Sequence, residues 1–550
     1  MSSRDDQFPD YEPLAGRRRA RAGRRLDGET DADADWSLRA EAEGAWPSRR
    51  MDETARGTGE TDWSARTVVN ASIGEETTDA AETKDAAPRR ADSRAVWMAR
   101  RGHAVSYAGL FLFTIVLYFR PYEFIPALSS FKTMAFWVAF LTLLIYIPAQ
   151  LSIEGSLTVR PREVNLALLF VVAALLSMPL AIDTALAWET FNSTFIKAVL
   201  MFVVMVNVTR TERRLRWLLF LGLVVCTVLS FGALADYRSG NLTVDGYRIA
   251  GRIGGLFGNP NELALNLLLM TPITAALMLS TRNALAKLVY AACAMLLVTS
   301  IILTFSRGSF LGLSAAAVML AWKIRRRNRL FVAFCVVAAL VVLVALVPGG
   351  YAERLVSIVD HSRDSMGSAP QRQNLLLLSI KVALLNPLFG VGMGNFVIVS
   401  IRGLVTHNAY TQVAAEMGLP ALVVFWLFLY SPYKRLRQIE RETFDVRAQS
   451  RFYYLAVGIQ ASLAGFMVNL FFISSAYQWY TFYLVGYAIC LRRVYQISKG
   501  SNEDTALEAT KRKRERGTAG SLSSEGEPAH AQLQASAKSR GRQDVFIQAG

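Results

Sequence analysis

Between residues 104 and 491 the chain is a succession of long apolar runs separated by short polar breaks. A helix needs ~20 apolar residues to cross ~30 Å of hydrocarbon, and without water its backbone groups must be satisfied internally. The runs therefore predict about twelve spanning helices: 104–119, 131–149, 164–182, 192–208, 215–235, 262–280, 286–305, 309–323, 329–348, 412–430, 452–472 and 477–491. The expected fold class is all-α, a polytopic membrane protein whose transmembrane domain covers 104–491. Hydrophobic residues make up 52% of the chain, too many for an ordinary soluble protein.

The flanks are different. Residues 1–100 alternate Arg-rich pieces (RRRARAGRR, 17–25) with Asp-, Glu-, Ala- and Thr-rich ones, and 499–550 is similar, with KRKRER at 511–516. Such compositions predict disordered tails. The first hundred residues hold no apolar core for a cleavable signal. DADAD at 31–35 is an acidic run within such a tail and implies no metal site.

The net charge of +16 could suggest a nucleic-acid partner, but its placement argues against one. With the N-terminus inside, the inner loops collect Arg210, Arg213, Arg214 and Arg216, then Lys323, Arg325, Arg326, Arg327 and Arg329, then Lys434, Arg435, Arg437, Arg441, Arg447 and Arg451. The short outer loops hold only Arg120, Lys132, Arg238, Arg248, Arg252 and Arg307. This asymmetry follows the positive-inside rule and predicts a plasma (inner) membrane protein with both termini in the cytoplasm. Cys226, Cys293, Cys335 and Cys490 all fall inside spans, with no pairing or metal-ligand spacing, and read as small packing residues.

The candidate chemistry lies outside. The two substantial outer loops are 236–261 and 349–411; the latter carries an apolar helical stretch, NLLLLSIKVALLNP (374–387), too short to span, and then FGVGMGNF (389–396). In GRIGGLFGNPNE (251–262), glycines surround Arg252, and Asn259-Pro260-Asn261 turns into a helix begun by Glu262. A Gly-rich loop feeding a helix N-terminus attracts anions, and a permanent guanidinium beside it strengthens that preference. In FSRG (305–308), Arg307 sits in a tight outer turn, against the orientation rule. Charges held in such places are usually functional, although an interfacial anchor is the bland alternative. In THNAYTQVAAEMG (406–418), His407 is expected to open a helix with Thr406 as its N-cap. A helix N-terminus disfavours imidazolium and would leave the ring able to accept a proton.

These three stretches, in this order on a roughly twelve-span chain, resemble the O-antigen ligase and O-antigen polymerase superfamily. The resemblance is good over about 245–430. It implies a glycan transferase using a polyprenyl-diphosphate-linked donor, with His407 as the essential base and Arg252 and Arg307 binding the diphosphate. Asn261, Glu262, Asn408 and Tyr410 complete the candidate substrate-binding set. The chain departs from the family pattern after Gly418, where Leu419, Pro420 and Ala421 follow. Ligase and polymerase therefore both stay open, as does the acceptor: lipid, glycan or protein. No paired outer carboxylates at ligand spacing appear, so neither a metal nor another cofactor is expected. A lipid-linked oligosaccharide transporter is the rival from another class; it would want ionisable groups deep in the spans, of which there are very few (Lys197 is the clearest and lies nearer an end), and matched broken helices, which are not evident.

Overall fold

A computed structural model describes residues 86–120, 122, 133–242, 248–251, 257–324, 368–447 and 450–500, and among these every regular element is a helix. The described residues from Ala91 onward belong to one compact unit. Its helices are α1 (Ala86–Phe119), α2 (Met134–Glu154), α3 (Arg162–Ser177), α4 (Thr184–Val208), α5 (Glu212–Arg238), α6 (Pro260–Ser280), α7 (Ala284–Leu303), α8 (Arg307–Ile324), α9 (Ser368–Leu385), α10 (Ala409–Glu442), α11 (Arg451–Asn469) and α12 (479–500).

Among the described residues, eight helices are long and apolar enough to cross a membrane: 101–119 within α1, then α2, α4, α5, α6, α7, α10 and α11 with its continuation to Phe472. Three other expected spans are helical and packed into the same bundle. They are α3 and α8, together with α12, which contributes Tyr480, Val485 and Leu491 to the core. The expected span 329–348 lies outside the described residues, as do most of the two tails. Apolar side chains also cover the exterior: Met295 is 73% and Phe231 60% exposed. That surface suits hydrocarbon rather than water.

Local sequence explains the boundaries. Asp183 caps α4, its Oδ1 accepting from the amides of Ala185 and Leu186 at 2.9 and 3.1 Å, so the helix starts well before its apolar run. Helix α3 has 16 residues and at 1.5 Å per residue covers only ~24 Å. It stops at Ser177 because the next residues turn away to pair elsewhere: the Ile182 amide donates to the Val391 carbonyl, and that of Asp183 to Asn395 Oδ1.

Helices α6, α8, α10 and α11 form the centre, with α11 packed on the other three. Alternating directions put the starts of α6, α8 and α10 and the finishes of α7 and α11 at one end. At the other end cations meet carboxylates. Lys323 pairs with Glu440 in the interior, and Glu154 receives Arg210 at 2.8 Å and Arg493 at 2.9 Å.

Helix α10 is broken. Gly418 has φ 87° and ψ 172°, a conformation essentially reserved for glycine, and Pro420 follows two residues later. The break frees the carbonyls of Ala415 and Glu416, which accept from the amides of Val391 and Gly392, each at 2.9 Å; the Leu419 amide donates to the Pro387 carbonyl at 2.7 Å. Residues 386–396 are thus sewn along the broken helix.

Candidate active site

The turn between α7 and α8 is built for close contact. Phe305 is buried with φ +54°, uncommon for a side chain of its size. The Ser306 hydroxyl accepts from the Ser309 amide at 3.4 Å and caps α8, whose first residue is the half-buried Arg307. Gly308 lies against the end of α11, where a Cβ would overlap Phe472 and crowd Asn469. Asn469 Nδ2 donates to Ser309 Oγ at 2.8 Å and fixes the contact.

The loop before α6 meets this turn. Asn259 caps α6, accepting from the Asn261 amide at 2.8 Å, with Pro260 at the first helical position and Glu262 in the first turn. Arg248, 8% exposed, donates from Nε to the Thr304 carbonyl and from Nη2 to Asn261 Oδ1, both at 3.0 Å. It ties the first motif to the second. The Gly251 amide closes the loop onto the Phe257 carbonyl at 2.7 Å. Arg252 falls in the part of that loop outside the described residues.

The third motif enters from α10. Asn408, not Thr406, is the N-cap: its Oδ1 accepts from the amides of Tyr410 and Thr411 at 2.9 and 3.1 Å. The Thr406 hydroxyl instead donates to the Asn408 carbonyl at 2.8 Å and bonds Ser474 Oγ at 2.8 Å. His407 is therefore held just ahead of the helix, with φ +54°. Burial, and then the charge of Arg372 on α9, push its imidazole down to about 4. Both causes favour the neutral ring at pH 7, burial first and the neighbouring cation second. Tyr410 Oη donates to the Met467 carbonyl at 2.9 Å, and its ring packs on Phe471 at 4.6 Å.

The end of α11 is thus a hub. Asn469 and Phe472 take the Arg307 turn, while Met467 and Phe471 take the His407 segment. Among the predicted residues, Asn261, Glu262, Arg307, His407, Asn408 and Tyr410 all lie at this end of the bundle. Their tasks differ: Asn408 caps, Tyr410 braces α10 against α11, and Asn261 orients Arg248. Two cations were not among the candidate site residues: Arg248, which the sequence reading counts only as an outer-loop cation, and Arg372, which immediately precedes the apolar stretch of α9. A third omission is Glu416, whose buried carboxylate accepts from Tyr477 Oη at 2.8 Å and from the amides of Gly394 and Phe396, clamping the stretch 389–396 to α10.

All four non-glycine residues with positive φ among the described ones, Arg120, Phe305, Arg402 and His407, lie at this end. Strained backbone of this sort concentrates at functional sites. No group of His, Cys, Asp and Glu among the described residues could hold a metal ion.

Residues 292–426 match the family model described as O-antigen ligase, which supports the O-antigen ligase superfamily as the relationship of this chain. The match takes in the Arg307 turn, α9 and the His407 motif, and starts after the glycine-rich loop. No curated protein matches the chain.

Proposed function

From the O-antigen ligase match and the convergence of the motifs, we propose that this chain is a membrane glycosyltransferase of the ligase or polymerase type. It moves a glycan from a polyprenyl-diphosphate carrier to an acceptor hydroxyl at the periplasmic face of the plasma membrane. The observation carrying this reading is that the Arg307 turn and the His407 segment bear on neighbouring residues of α11, with Arg248 joining the first motif to the same turn.

The chemistry follows from the donor. A sugar joined through C1 to a diphosphate already has a good leaving group. The cost lies in the charge that gathers on the diphosphate and in the weak nucleophilicity of a hydroxyl. Arg307 and Arg252 would hold the diphosphate, each preorganised donor being worth roughly 3–4 kcal/mol. His407 would take the acceptor proton, a contribution of ~10²–10⁴-fold. The acceptor oxygen bonds to C1, the C1–oxygen bond to the diphosphate breaks with its electron pair, and the anomeric carbon inverts. Guanidinium groups can carry this charge, so the reaction is proposed to need no metal.

A neutral imidazole near 4 is free to accept a proton but is a weak base. Arrival of the anionic diphosphate offsets the Arg372 charge, the lesser of the two causes, and so raises the affinity of the ring for a proton, as a general base working near neutral pH requires.

The deciding experiment is transfer by purified protein from a polyprenyl-diphosphate glycan. Acceptors should include a lipid core, a polysaccharide and a protein. Covalent product together with released polyprenyl diphosphate supports the reading; donor left intact with every acceptor sinks it.

A further inference from the structure

The opposite end of the bundle holds a cavity that glycan transfer does not use. It measures about 310 Å³ and lies between the last turns of α10 and α12. Arg435, Gln438 and Glu442 line it from α10, and Arg492, Tyr495 and Lys499 from α12. The Glu442 carboxylate is already occupied: Tyr495 Oη and Gln438 Nε2 donate to it at 2.9 Å, and Lys499 Nζ stands 3.4 Å away and offsets its charge.

Arg435 and Arg492 are in a different position. Neither forms a hydrogen bond or ion pair with any described residue, and their like charges repel one another. The carboxylate that partly offsets Arg492 is Glu163, and Glu163 is itself held by Ser431 at 2.7 Å. Two half-buried guanidinium groups around one cavity are an unfavourable arrangement until an anion comes between them. Guanidinium forks match phosphate oxygens two at a time. The volume falls within the ~300–1,000 Å³ of small-ligand sites.

Position selects the source of the phosphate. Helix α10 runs from an apolar span directly into the cavity wall, so the cavity sits where the chain leaves hydrocarbon and lipid headgroups are concentrated. We infer that the cavity between α10 and α12 binds the phosphate headgroup of an anionic phospholipid through Arg435 and Arg492. A free phosphate ion offers the same oxygens without acyl chains, and the test separates the two.

Full-length protein in neutral detergent is titrated with phosphatidylglycerol and, separately, phosphatidylcholine, and bound lipid is counted by native mass spectrometry. Inorganic phosphate is the competitor. Wild type should retain phosphatidylglycerol selectively and resist the competitor. Arg435→Gln with Arg492→Gln should weaken retention about thirty-fold, the loss expected for two interfacial cations, and Arg435→Gln alone about five-fold. Glu442→Gln, which removes an acidic group from the wall, should strengthen it. Equal retention of both lipids, unchanged retention in the arginine variants, or displacement by inorganic phosphate at matching concentration would each overturn the assignment.

Discussion

Arg248 reaches the backbone carbonyl of Thr304 across 56 residues of sequence, at 3.0 Å from its Nε. That contact links the loop before α6 to the turn that presents Arg307. Removing the side chain leaves a buried carbonyl and Asn261 without this donor, a loss of roughly 1–3 kcal/mol. Arg248→Ala should lower the thermal midpoint of the detergent-solubilised protein and reduce transfer. Arg248→Lys should recover only part of each, because an ammonium cannot span both acceptors as the planar fork does. A midpoint equal to wild type in the alanine variant would remove Arg248 from the account.

Arg307 tests the diphosphate assignment. Arg307→Lys preserves charge but not the fork, and is expected to slow transfer about 10²-fold with little change in stability. Wild-type rates would reduce the residue to an interfacial anchor.

For His407 the informative change is to Asn, which tolerates the left-handed backbone that position 407 adopts and supplies no base. Transfer should fall ~10²–10⁴-fold at pH 7 while the fold survives. Activity near wild type in His407→Asn would exclude the imidazole as base.

Ionisation gives a signed prediction. Burial is the first cause holding the ring down and Arg372 the second, so Arg372→Gln should move the acid limb of the kcat/KM profile upward from about 4. An unmoved limb would detach Arg372 from the site. Stability follows the same ionisation: the folded ring resists a proton that the unfolded one accepts near 6.5, so its contribution is full above 6.5 and lost as pH falls towards 4. His407→Asn should flatten that part of the curve of midpoint against pH.

Gly418 can be tested structurally. A Cβ there would strike the Leu388 carbonyl, and its backbone angles lie outside the range of other residues. Gly418→Ala should cost about 3 kcal/mol or more and open residues 386–396 to proteolysis. Resistance equal to wild type would show that the break adapts.

Apolar runs made most of the helices legible, because lipid admits little else. What escaped was decided at a distance. Helix α3 ends early because residues 182 and 183 pair with 391 and 395, far along the chain. Helix α4 begins early because one aspartate caps it. At the site, Arg307 and His407 stood out as polar exceptions at the edges of apolar runs. In the sequence Arg248 is one more loop cation, because the Thr304 carbonyl it reaches lies 56 residues further on, and Arg372 is one more charge ahead of an apolar helix. Thr406 and Asn408 are both good capping residues; the choice between them rests on the bond from Thr406 to Ser474, which local sequence cannot contain.

Because residues 391 and 392 donate their amides to carbonyls of a spanning helix, the stretch 386–396 is no hinged flap. Whatever displaces it must drag the upper part of α10 along.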